Sequence, residues 1–425
     1  MGRPLRHTAT LHTDVLVVGA GPAGLALTLM LLRSGVRVAL AERSTSFRRD
    51  FHGEILQPGG QRILDRVGVL DGAVRRGARE LAGFQVRSGD RVLLDIDYRR
   101  LPGPYDKLLA LPQAHLLEEL LDACGRYPGF EYLPGHRIGS LSEHDGRCTG
   151  AVVNSSLGAR RLWVRAHTVV AADGRFSKTR SLAGIGAGRS DLFDQDVVWF
   201  TVPAHGRSTG RVRVHRAGAS AVLVHDTHPD RLRIGWTLPH RGWQRAAERG
   251  IDAIRDELAA ALPEFADLLH EHLTSLAGLA LLDVFAATAE TWVRDGLVLI
   301  GDAAHTHGPL GAQGINLALQ DAAALHPVLV DALDAGDFSR RRLAPFEAAR
   351  RPAAEAVTRM QRLQAKAFFG AGGAVGEFLR ARAAGVVTRT PIGARITSRV
   401  AYGPSAVDVR DELFGRGAAV ERGAA

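Results

Sequence analysis

A glycine-rich turn near the start of the chain constrains the fold more than any other feature. The sequence GAGPAG at 19–24 has the spacing G-x-G-x-x-G and lies between an apolar run at 14–18 and a helical segment at 25–34. In such a turn the first glycine allows the tight bend, the second lets a pyrophosphate approach the backbone, and the third lets the helix pack on the strand. A second apolar run at 36–41 completes a β-α-β unit and ends at Glu42, which can accept hydrogen bonds from ribose hydroxyls. This pattern predicts a dinucleotide-binding α/β fold.

Composition and charge exclude several other classes of protein. The chain has 425 residues, and 46% are hydrophobic, which indicates a sizeable core and two to three domains at about 150 residues each. The net charge is +9, but 51 of the 54 basic residues are arginine and they form no basic block, so we expect no nucleic-acid partner. Three glycines and a proline interrupt the apolar stretch at 15–32, which argues against a transmembrane segment. The two cysteines, Cys124 and Cys148, have no metal-ligand spacing, so we expect no metal and a cytoplasmic location.

The middle of the chain has a different pattern from its start. Short alternating runs separated by turns fill 194–240 and predict an antiparallel sheet, whereas 243–275 and the chain beyond 340 are mostly helical. We expect residues 1–13 to be a polar tail and 163–172 to be one strand. The expected domains are a discontinuous dinucleotide-binding domain at 1–75, 105–190 and 277–335, a sheet domain at 76–104 and 191–276, and a helical region at 336–425.

Two further motifs follow predicted strands. Asp173 and Gly174 come directly after the apolar run that ends at 172, and Arg175 follows them. A second run at 297–301 ends in Gly301-Asp302 and continues through a small-residue loop into a helix at 315–325. An aspartate at the carboxyl end of a strand can bind a polyol chain, and a helix N-terminus can face a developing negative charge.

These three motifs, in this order, resemble those of the FAD-dependent aromatic hydroxylases, the single-component flavoprotein monooxygenases of the para-hydroxybenzoate hydroxylase type. The resemblance spans about 14–352 and includes Arg350-Arg351-Pro352, which is similar to the closing helix of that family. It implies a Rossmann-like FAD-binding domain of the GR2 type, an inserted antiparallel-sheet substrate domain and a helical C-terminal region. It also implies that NADH or NADPH reduces FAD and that one atom of O₂ is inserted into the substrate.

The resemblance also implies roles for individual residues. Glu42 would bind the adenosine ribose, Arg43 would lie at the adenine, Asp302 would hold the ribitol and pyrophosphate, and the backbone at 314–316 would face the N1–O2 edge of the flavin. Arg48 or Arg49 can substitute for an arginine that the family usually carries near His52, and His52 is a candidate catalytic residue beside the flavin. The implied cofactor-binding residues are Gly19, Gly21, Pro22, Ala23, Gly24, Glu42, Arg43, Arg49, Gln113, Asp173, Gly174, Arg175, Gly301, Asp302, Pro309, Gly311, Gly314, Ile315 and Asn316.

The substrate and the type of oxidation remain open at this stage. The aromatic side chains of the predicted sheet, Trp199, Phe200 and Trp236, suggest a pocket for an apolar or aromatic small molecule. The segment at 53–58 is similar to the squalene-epoxidase-like branch, so epoxidation stands beside hydroxylation. The alternatives are a flavin-dependent dehydrogenase or oxidase, a halogenase, and a non-catalytic flavin-binding module. An arginine-rich, GC-biased composition within this family suggests secondary metabolism, such as antibiotic biosynthesis, by a monomer or homodimer.

Overall fold

A computed structural model describes residues 9–47, 53–156, 161–190, 195–217, 220–369, 391–405 and 407–415. Three of the residues proposed above, Arg48, Arg49 and His52, lie outside the described residues. The described chain builds a parallel sheet with helices against it, a large antiparallel sheet, and three smaller sheets.

The parallel sheet, which we call the central sheet, has six strands. Its neighbouring strands are parallel except for an antiparallel edge pair. Four of its strands are buried along their whole length, which explains why they contain continuous apolar runs instead of alternating ones. In spatial order the strands are Val293–Arg294, Leu297–Leu299, Thr168–Ala171, Val15–Val18, Val38–Glu42 and Phe130–Pro134.

Three helices cover the central sheet. The first begins with proline at its first turn, where the missing N–H costs nothing, and its middle is almost entirely buried. The second begins directly after the loop that follows the strand Leu297–Leu299. These helices are Pro22–Arg33, Gly314–Ala335 and Gln113–Cys124, and their apolar side chains share one core with the sheet.

The mainly antiparallel sheet, which we call the large sheet, has seven strands, and one pair of neighbours, Val212–Ala217 and Gly83–Ser88, is parallel. One face packs on the helices Trp243–Glu248, Gly250–Ala261 and Ala266–His272 to form a second core. The other face looks towards the central-sheet half of the molecule. In spatial order the strands are Ala280–Leu282, Gln195–Pro203, Arg231–Pro239, Ser220–Thr227, Val212–Ala217, Gly83–Ser88 and Arg91–Asp97.

A four-stranded sheet corrects two of the expectations from sequence. Ala9–His12, which was expected in a polar tail, is a strand that pairs with Arg161–Arg165. The stretch 163–172 is not one strand, because Arg161–Arg165 belongs to this sheet and Thr168–Ala171 belongs to the central sheet. The alternating pattern of the first strand is followed almost at once by the continuous apolar run of the second, so the sequence does not reveal the boundary between the two strands. The remaining strands of this sheet are Arg147–Ser155 and His136–His144.

The other elements are short sheets and peripheral helices. The two three-stranded sheets consist of Ala187–Ser190, Ala286–Ala289 and His305–Thr306, and of Ile55–Leu56, Leu108–Ala110 and Arg79–Leu81. The remaining α-helices are Pro58–Arg66, Leu70–Arg75, Lys178–Leu182, Arg340–Phe369 and Pro391–Tyr402. Short 3-10 turns occur at Tyr98–Arg100, Pro263–Phe265, Leu276–Gly278, Gly301–Ala303, Leu310–Ala312 and Asp411–Leu413. Among the described residues, no helix is both long and apolar enough to cross a bilayer.

Candidate active site

The three sequence motifs meet at one edge of the central sheet. The strands Val15–Val18, Val38–Glu42, Thr168–Ala171 and Leu297–Leu299 are parallel neighbours. The residues that follow their carboxyl ends therefore lie together, although they are up to about 280 positions apart in sequence. In open α/β sheets this edge is where ligands bind.

The three glycines of the first motif have different surroundings. Gly19 has φ +106°, and a Cβ there would lie 2.4 Å from the carbonyl oxygen of Ala172. A Cβ on Gly24 would lie 1.9 Å from the carbonyl oxygen of Gly19. A Cβ on Gly21, by contrast, would meet no atom within 4 Å. The chain's own packing therefore requires Gly19 and Gly24, and the space in front of Gly21 is left open for a ligand.

Backbone donors fix Glu42 at the end of its strand. Its Oε2 accepts a hydrogen bond from the N–H of Ala20 at 2.8 Å, and its Oε1 accepts one from the N–H of Ser44 at 2.9 Å. The side chain is buried, and each carboxylate oxygen can accept more than one hydrogen bond. Glu42 is thus placed beside the glycine turn as an acceptor for a ribose hydroxyl, with Arg43 exposed next to it.

The second motif is held by hydrogen bonds within its own loop. The Oδ2 atom of Asp173 accepts from both the N–H and the hydroxyl of Thr179 at 2.9 Å, and Oδ1 accepts from the Ser177 hydroxyl. Arg175 donates to the carbonyl of Asp283 at 3.0 Å. Arg180 donates to the carbonyl of Ala303 at 2.8 Å and so joins this loop to the third motif. The carboxylate of Asp173 shapes the loop, whereas Gly174 has no neighbour within 4 Å of a built Cβ.

Asp302 of the third motif is the free acceptor at this edge. Its carboxylate accepts no hydrogen bond from the part of the chain that the structure describes, although Arg175 and His305 lie near enough to interact electrostatically. Burial raises the pKa of Asp302, and Arg175 and His305 oppose that rise only in part. A polyol hydroxyl donating to this carboxylate would relieve the cost of burying it unpaired.

The helix Gly314–Ala335 presents unpaired N–H groups at its start. Its N-cap residue, Gln313, gives no side-chain cap, and the Leu317 N–H makes an early intrahelical bond back to the Gln313 carbonyl at 2.9 Å. The N–H groups at 314–316 and the positive end of the helix dipole can therefore stabilise an anion. This is the electrostatic environment that a reduced, anionic flavin requires.

The side chain of Asn316 holds that helix start in place. Its Oδ1 accepts from the N–H groups of Gln57 and Gly60, both at 3.1 Å, and its Nδ2 donates to the Ala312 carbonyl at 2.9 Å. Gln57 in turn donates from Nε2 to the carbonyl of Gly311 at 2.8 Å. Asn316 thus contributes its N–H to the site and uses its side chain to fasten the segment at 57–60. Gln113 only begins the helix Gln113–Cys124 and is half-buried.

A buried charge network, which the sequence analysis missed, lies behind the third motif. Asp321 is fully buried; its Oδ2 accepts from the N–H of Gly301 at 2.9 Å and lies 2.6 Å from Nε2 of His305. Its Oδ1 accepts from Nε of the buried Arg350 at 2.8 Å. Burial alone would raise the pKa of Asp321, but His305 and Arg350 hold it well below its ordinary value. The hydrogen-bond network extends from Nδ1 of His305 to Nε2 of His307 at 2.9 Å. Burial lowers the pKa of His307.

This network could be found in the sequence only by its helical spacing. Asp321 lies seven residues after Gly314 in a helix of apolar character, where an isolated aspartate demands a partner. Nothing in the sequence points to Arg350 rather than Arg351, which is partly exposed and pairs with Glu347 instead.

An open-mouthed cavity lies between the large sheet and the loop at 309–310, and the empty space there, including solvent at its mouth, is about 680 Å³. Trp199 lines it, together with Leu223 and Ala221 of the strand Ser220–Thr227, which lies two strands away in the large sheet. The other lining residues are Val86, Gln195, Val197, Val214, Arg216, Thr237, Val284, Pro309 and Leu310. Its walls are almost entirely apolar, as expected for a site that binds an apolar small molecule.

Phe200 and Trp236, which were also expected in the pocket, are in the core on the opposite face of the large sheet. They pack there with Val198, Ile234 and the helices that cover that face. Successive side chains of a strand point to opposite faces, so Trp199 and Phe200 cannot both face the cavity. The expectation for these two residues is therefore wrong.

These features fit FAD. The second glycine of the turn faces open space, Asp302 offers an unpaired carboxylate, and the helix start at 314–316 offers unpaired donors. The substrate cavity touches the same loop through Pro309. The fold and site thus define a two-part flavoprotein in which a dinucleotide-binding edge adjoins an apolar cavity.

Comparison with known proteins identifies the family. A family described as "FAD binding domain" matches residues 12–361, and the chain belongs to it. The chain is 50% identical over 418 residues to 6-methylpretetramide 4-monooxygenase of Streptomyces rimosus, covering 98% of each chain. It is 30% identical to 12-dehydrotetracycline 5-monooxygenase/anhydrotetracycline 6-monooxygenase of Streptomyces rimosus subsp. rimosus, covering 83% of this chain and 69% of the relative. The fold is shared with p-nitrophenol 4-monooxygenase of Pseudomonas putida (TM-score 0.77, 21% identity, 94% and 100% coverage).

These likenesses confirm the predicted fold class and the resemblance to the aromatic hydroxylases. The protein is an FAD-dependent monooxygenase, an oxidoreductase that inserts one oxygen atom from O₂ into a small molecule at the expense of NAD(P)H. Antibiotic biosynthesis, suggested by composition and family, agrees with the relatives.

Proposed function

We propose that the protein hydroxylates a polycyclic aromatic compound of the 6-methylpretetramide type, at the ring position that the name of the Streptomyces rimosus relative gives as 4. The observation that carries this proposal is identity at half of all positions over nearly the full length of both chains. We place the reaction in the cytoplasm and leave a monomer and a homodimer as the two assembly states to be distinguished.

The cavity supports a flat, largely apolar substrate. The indole of Trp199 and the side chains of Leu223 and Val197 form one wall, and Pro309 and Leu310 form the opposite one. The exposed lining of the cavity is almost entirely apolar, which suits the faces of a flat polycyclic ring system.

For the cofactor we propose the following arrangement. The open backbone at Gly21 and the start of the helix Pro22–Arg33 receive the pyrophosphate, and Glu42 receives the adenosine ribose. Asp302 accepts from the ribitol chain, and the N–H groups at 314–316 face the pyrimidine edge of the flavin. When bound, FAD supplies the redox chemistry and the activation of O₂. The chain itself orients the substrate against the flavin and excludes water through the apolar cavity.

The test is turnover by purified FAD-loaded protein with 6-methylpretetramide, O₂ and either NADH or NADPH. We expect substrate-stimulated NAD(P)H oxidation and a product heavier by one oxygen atom, with the new hydroxyl located by NMR. A product lighter by two hydrogens would instead indicate a dehydrogenase. An epoxide or its diol would indicate the epoxidase alternative, and an unchanged substrate would contradict the proposed substrate.

A further inference from the structure

A buried ion pair connects the flavin-binding half of the molecule to the wall of the substrate cavity. The carboxylate of Glu54 accepts through Oε1 from Nη1 of Arg233 and through Oε2 from the hydroxyl of Thr227 at 2.8 Å. The side chains of Glu54 and Arg233 are only 10% and 7% exposed. Glu54 precedes the short strand Ile55–Leu56, whereas its two partners belong to the large sheet.

At one end, this pair contacts the cavity wall. The Cζ atom of Arg233 lies 5.1 Å from the ring centroid of Trp199, whose indole lines the cavity. The indole lies over Gly235, where a Cβ would be 2.7 Å from its Cζ3 atom. Trp199 is therefore held flat on the sheet, because a guanidinium contacts its ring and a glycine leaves room beneath it.

At the other end, the pair is fixed to the flavin-facing helix. A Cβ on Gly53 would lie 3.8 Å from Cδ1 of Ile315, in the first turn of the helix Gly314–Ala335. Three residues beyond Glu54, the N–H of Gln57 donates to Asn316 of the same turn. Glu54 therefore lies in a segment whose position is set by the helix start that faces the flavin.

A buried ion pair is not the most stabilising way to fill the space between these two halves of the molecule. Removing two charges from water carries a large desolvation cost, and apolar residues of similar volume are often at least as stabilising. What the pair provides is a fixed direction, because the arginine head must meet both a carboxylate and an aromatic face.

We propose that Glu54 and Arg233 are positioning residues that hold Trp199 at a set distance from the flavin-facing helix start. In this arrangement the substrate ring lies where oxygen transfer outcompetes loss of oxygen as peroxide. This inference rests on oxygenation in this cavity, as set out under the proposed function.

The two outcomes of oxygen activation give the readout. In the coupled reaction, substrate, NAD(P)H, O₂ and a proton give hydroxylated product, NAD(P)⁺ and water. In the uncoupled reaction, NAD(P)H, O₂ and a proton give NAD(P)⁺ and hydrogen peroxide, and the substrate is unchanged. Product formed per NAD(P)H consumed therefore measures how well the substrate is placed.

The experiment compares Glu54→Gln and Arg233→Met with the wild type. We expect each variant to retain FAD and to oxidise NAD(P)H, while product per NAD(P)H falls about tenfold and peroxide rises to match, since small misplacements of a reacting group have large effects on rate. The double variant Glu54→Leu/Arg233→Met removes both charges, so it should fold and bind FAD as well as the wild type yet remain uncoupled.

The control is Glu264→Gln, which removes a carboxylate from a more exposed pair with an arginine of the same sheet. Glu264 accepts from Arg213 at 2.8 Å, and Arg213 alternates with the cavity residues Val214 and Arg216 along its strand. This control should keep the wild-type ratio of product to NAD(P)H. If the Glu54 and Arg233 variants melt at lower temperature but also keep that ratio, the pair is only structural and the inference is wrong.

A second measurement does not depend on the substrate. The fluorescence of Trp199 is obtained by subtracting the tryptophan fluorescence of the Trp199→Phe counterpart from that of each protein. We expect acrylamide to quench this contribution more strongly in Glu54→Gln than in the wild type, because the indole is released from the sheet. Unchanged quenching would contradict the inference, whereas a wild type that cannot hydroxylate 6-methylpretetramide would contradict only the proposed substrate.

Discussion

At the dinucleotide-binding edge, some glycines are required for the chain to fold and others are required for the ligand to bind. Gly24 lies against the carbonyl of Gly19, so a methyl group there collides with backbone. Gly21 has no neighbour, so a methyl group there meets only an incoming cofactor. The same G-x-G-x-x-G pattern thus contains one position that is required for folding and another that is required for binding.

Substitution by alanine tests this distinction. We expect Gly21→Ala to keep the melting temperature of the apoprotein while FAD affinity falls at least about tenfold, or ~1.4 kcal/mol. Gly24→Ala should lose about 1–3 kcal/mol of stability or more, because the backbone must shift. The control is Gly188→Ala, since a Cβ on Gly188 also meets nothing within 4 Å. Thermal unfolding measures the stability of each apoprotein, and FAD titration measures its affinity for the cofactor. Equal losses of apoprotein stability in Gly21→Ala and Gly24→Ala would contradict the distinction between a folding glycine and a binding glycine.

Asp302 gives a prediction about pH. Burial raises its pKa in the folded apoprotein above the ordinary 3.8, so the folded state disfavours its charge. Ionisation therefore costs stability at neutral pH, and the cost disappears as pH falls below 3.8, where the carboxyl is protonated in both states. We expect Asp302→Asn apoprotein to be more stable than wild type at neutral pH by about 1–3 kcal/mol and the difference to shrink on acidification.

The same variant should bind FAD more weakly, because an amide oxygen is a poorer acceptor than a carboxylate. Denaturant unfolding of both apoproteins at neutral and acidic pH gives the comparison, and Asp90→Asn at an exposed turn serves as the control. A wild-type apoprotein that is the more stable of the two at neutral pH would show that Asp302 has a partner of its own.

At the scale of elements, the helix Gly314–Ala335 performs two tasks at two positions along its length. Its first turn offers N–H groups to the site, and Asp321, two turns later, holds Gly301 together with His305 and Arg350. The turn that carries Asp302 is thus anchored from behind by a buried anion with two basic partners.

Asp321→Asn should therefore destabilise the protein strongly. It leaves Arg350, which is only 1% exposed, without its counter-charge, and breaking a buried pair in this way costs about 3–5 kcal/mol. Because the pKa of Asp321 is held below its ordinary value, the wild type keeps this stability throughout the neutral range and loses it only in strong acid. Glu347→Gln removes a partly exposed pair with Arg351 and should cost no more than about 1 kcal/mol. Similar losses for both variants in denaturant unfolding would contradict the anchoring role.

What the sequence can predict at this scale depends on whether the signal is local. The glycine turn, the strand ends and the helix starts are written in neighbouring residues, so their placement follows from pattern and parallel topology. The role of Glu54 depends on its ion pair with Arg233, which is 179 positions away, and no pattern in the neighbouring residues predicts this pair. Phe200 is a different case, because strict alternation with Trp199 along one strand could have placed it in the core from the start.

At the scale of the whole molecule, the active site exists only where two separately built halves meet. The central sheet supplies the cofactor edge, the large sheet supplies one cavity wall, and the loop at 309–310 supplies the other. Each half has its own apolar core, so the cavity can be altered without disturbing either. Sequence alone could not give the cavity's volume, which depends on the distance between the halves.

Narrowing the cavity should therefore change substrate choice and leave the flavoprotein intact. Leu223 lines the cavity and is only half-buried, so in Leu223→Trp the larger ring extends into the space for substrate instead of into a core. We expect kcat/KM for the polycyclic substrate to fall at least about tenfold, or ~1.4 kcal/mol, while FAD content and melting temperature stay at wild-type values. Val92→Trp, at a site that is 48% exposed, adds the same ring outside the cavity and should leave kcat/KM unchanged. Because a one-ring phenol occupies less of the cavity than a polycyclic compound does, any turnover of phenol should fall less than turnover of the polycyclic compound. Equal losses would show that the effect does not arise from narrowing of the cavity.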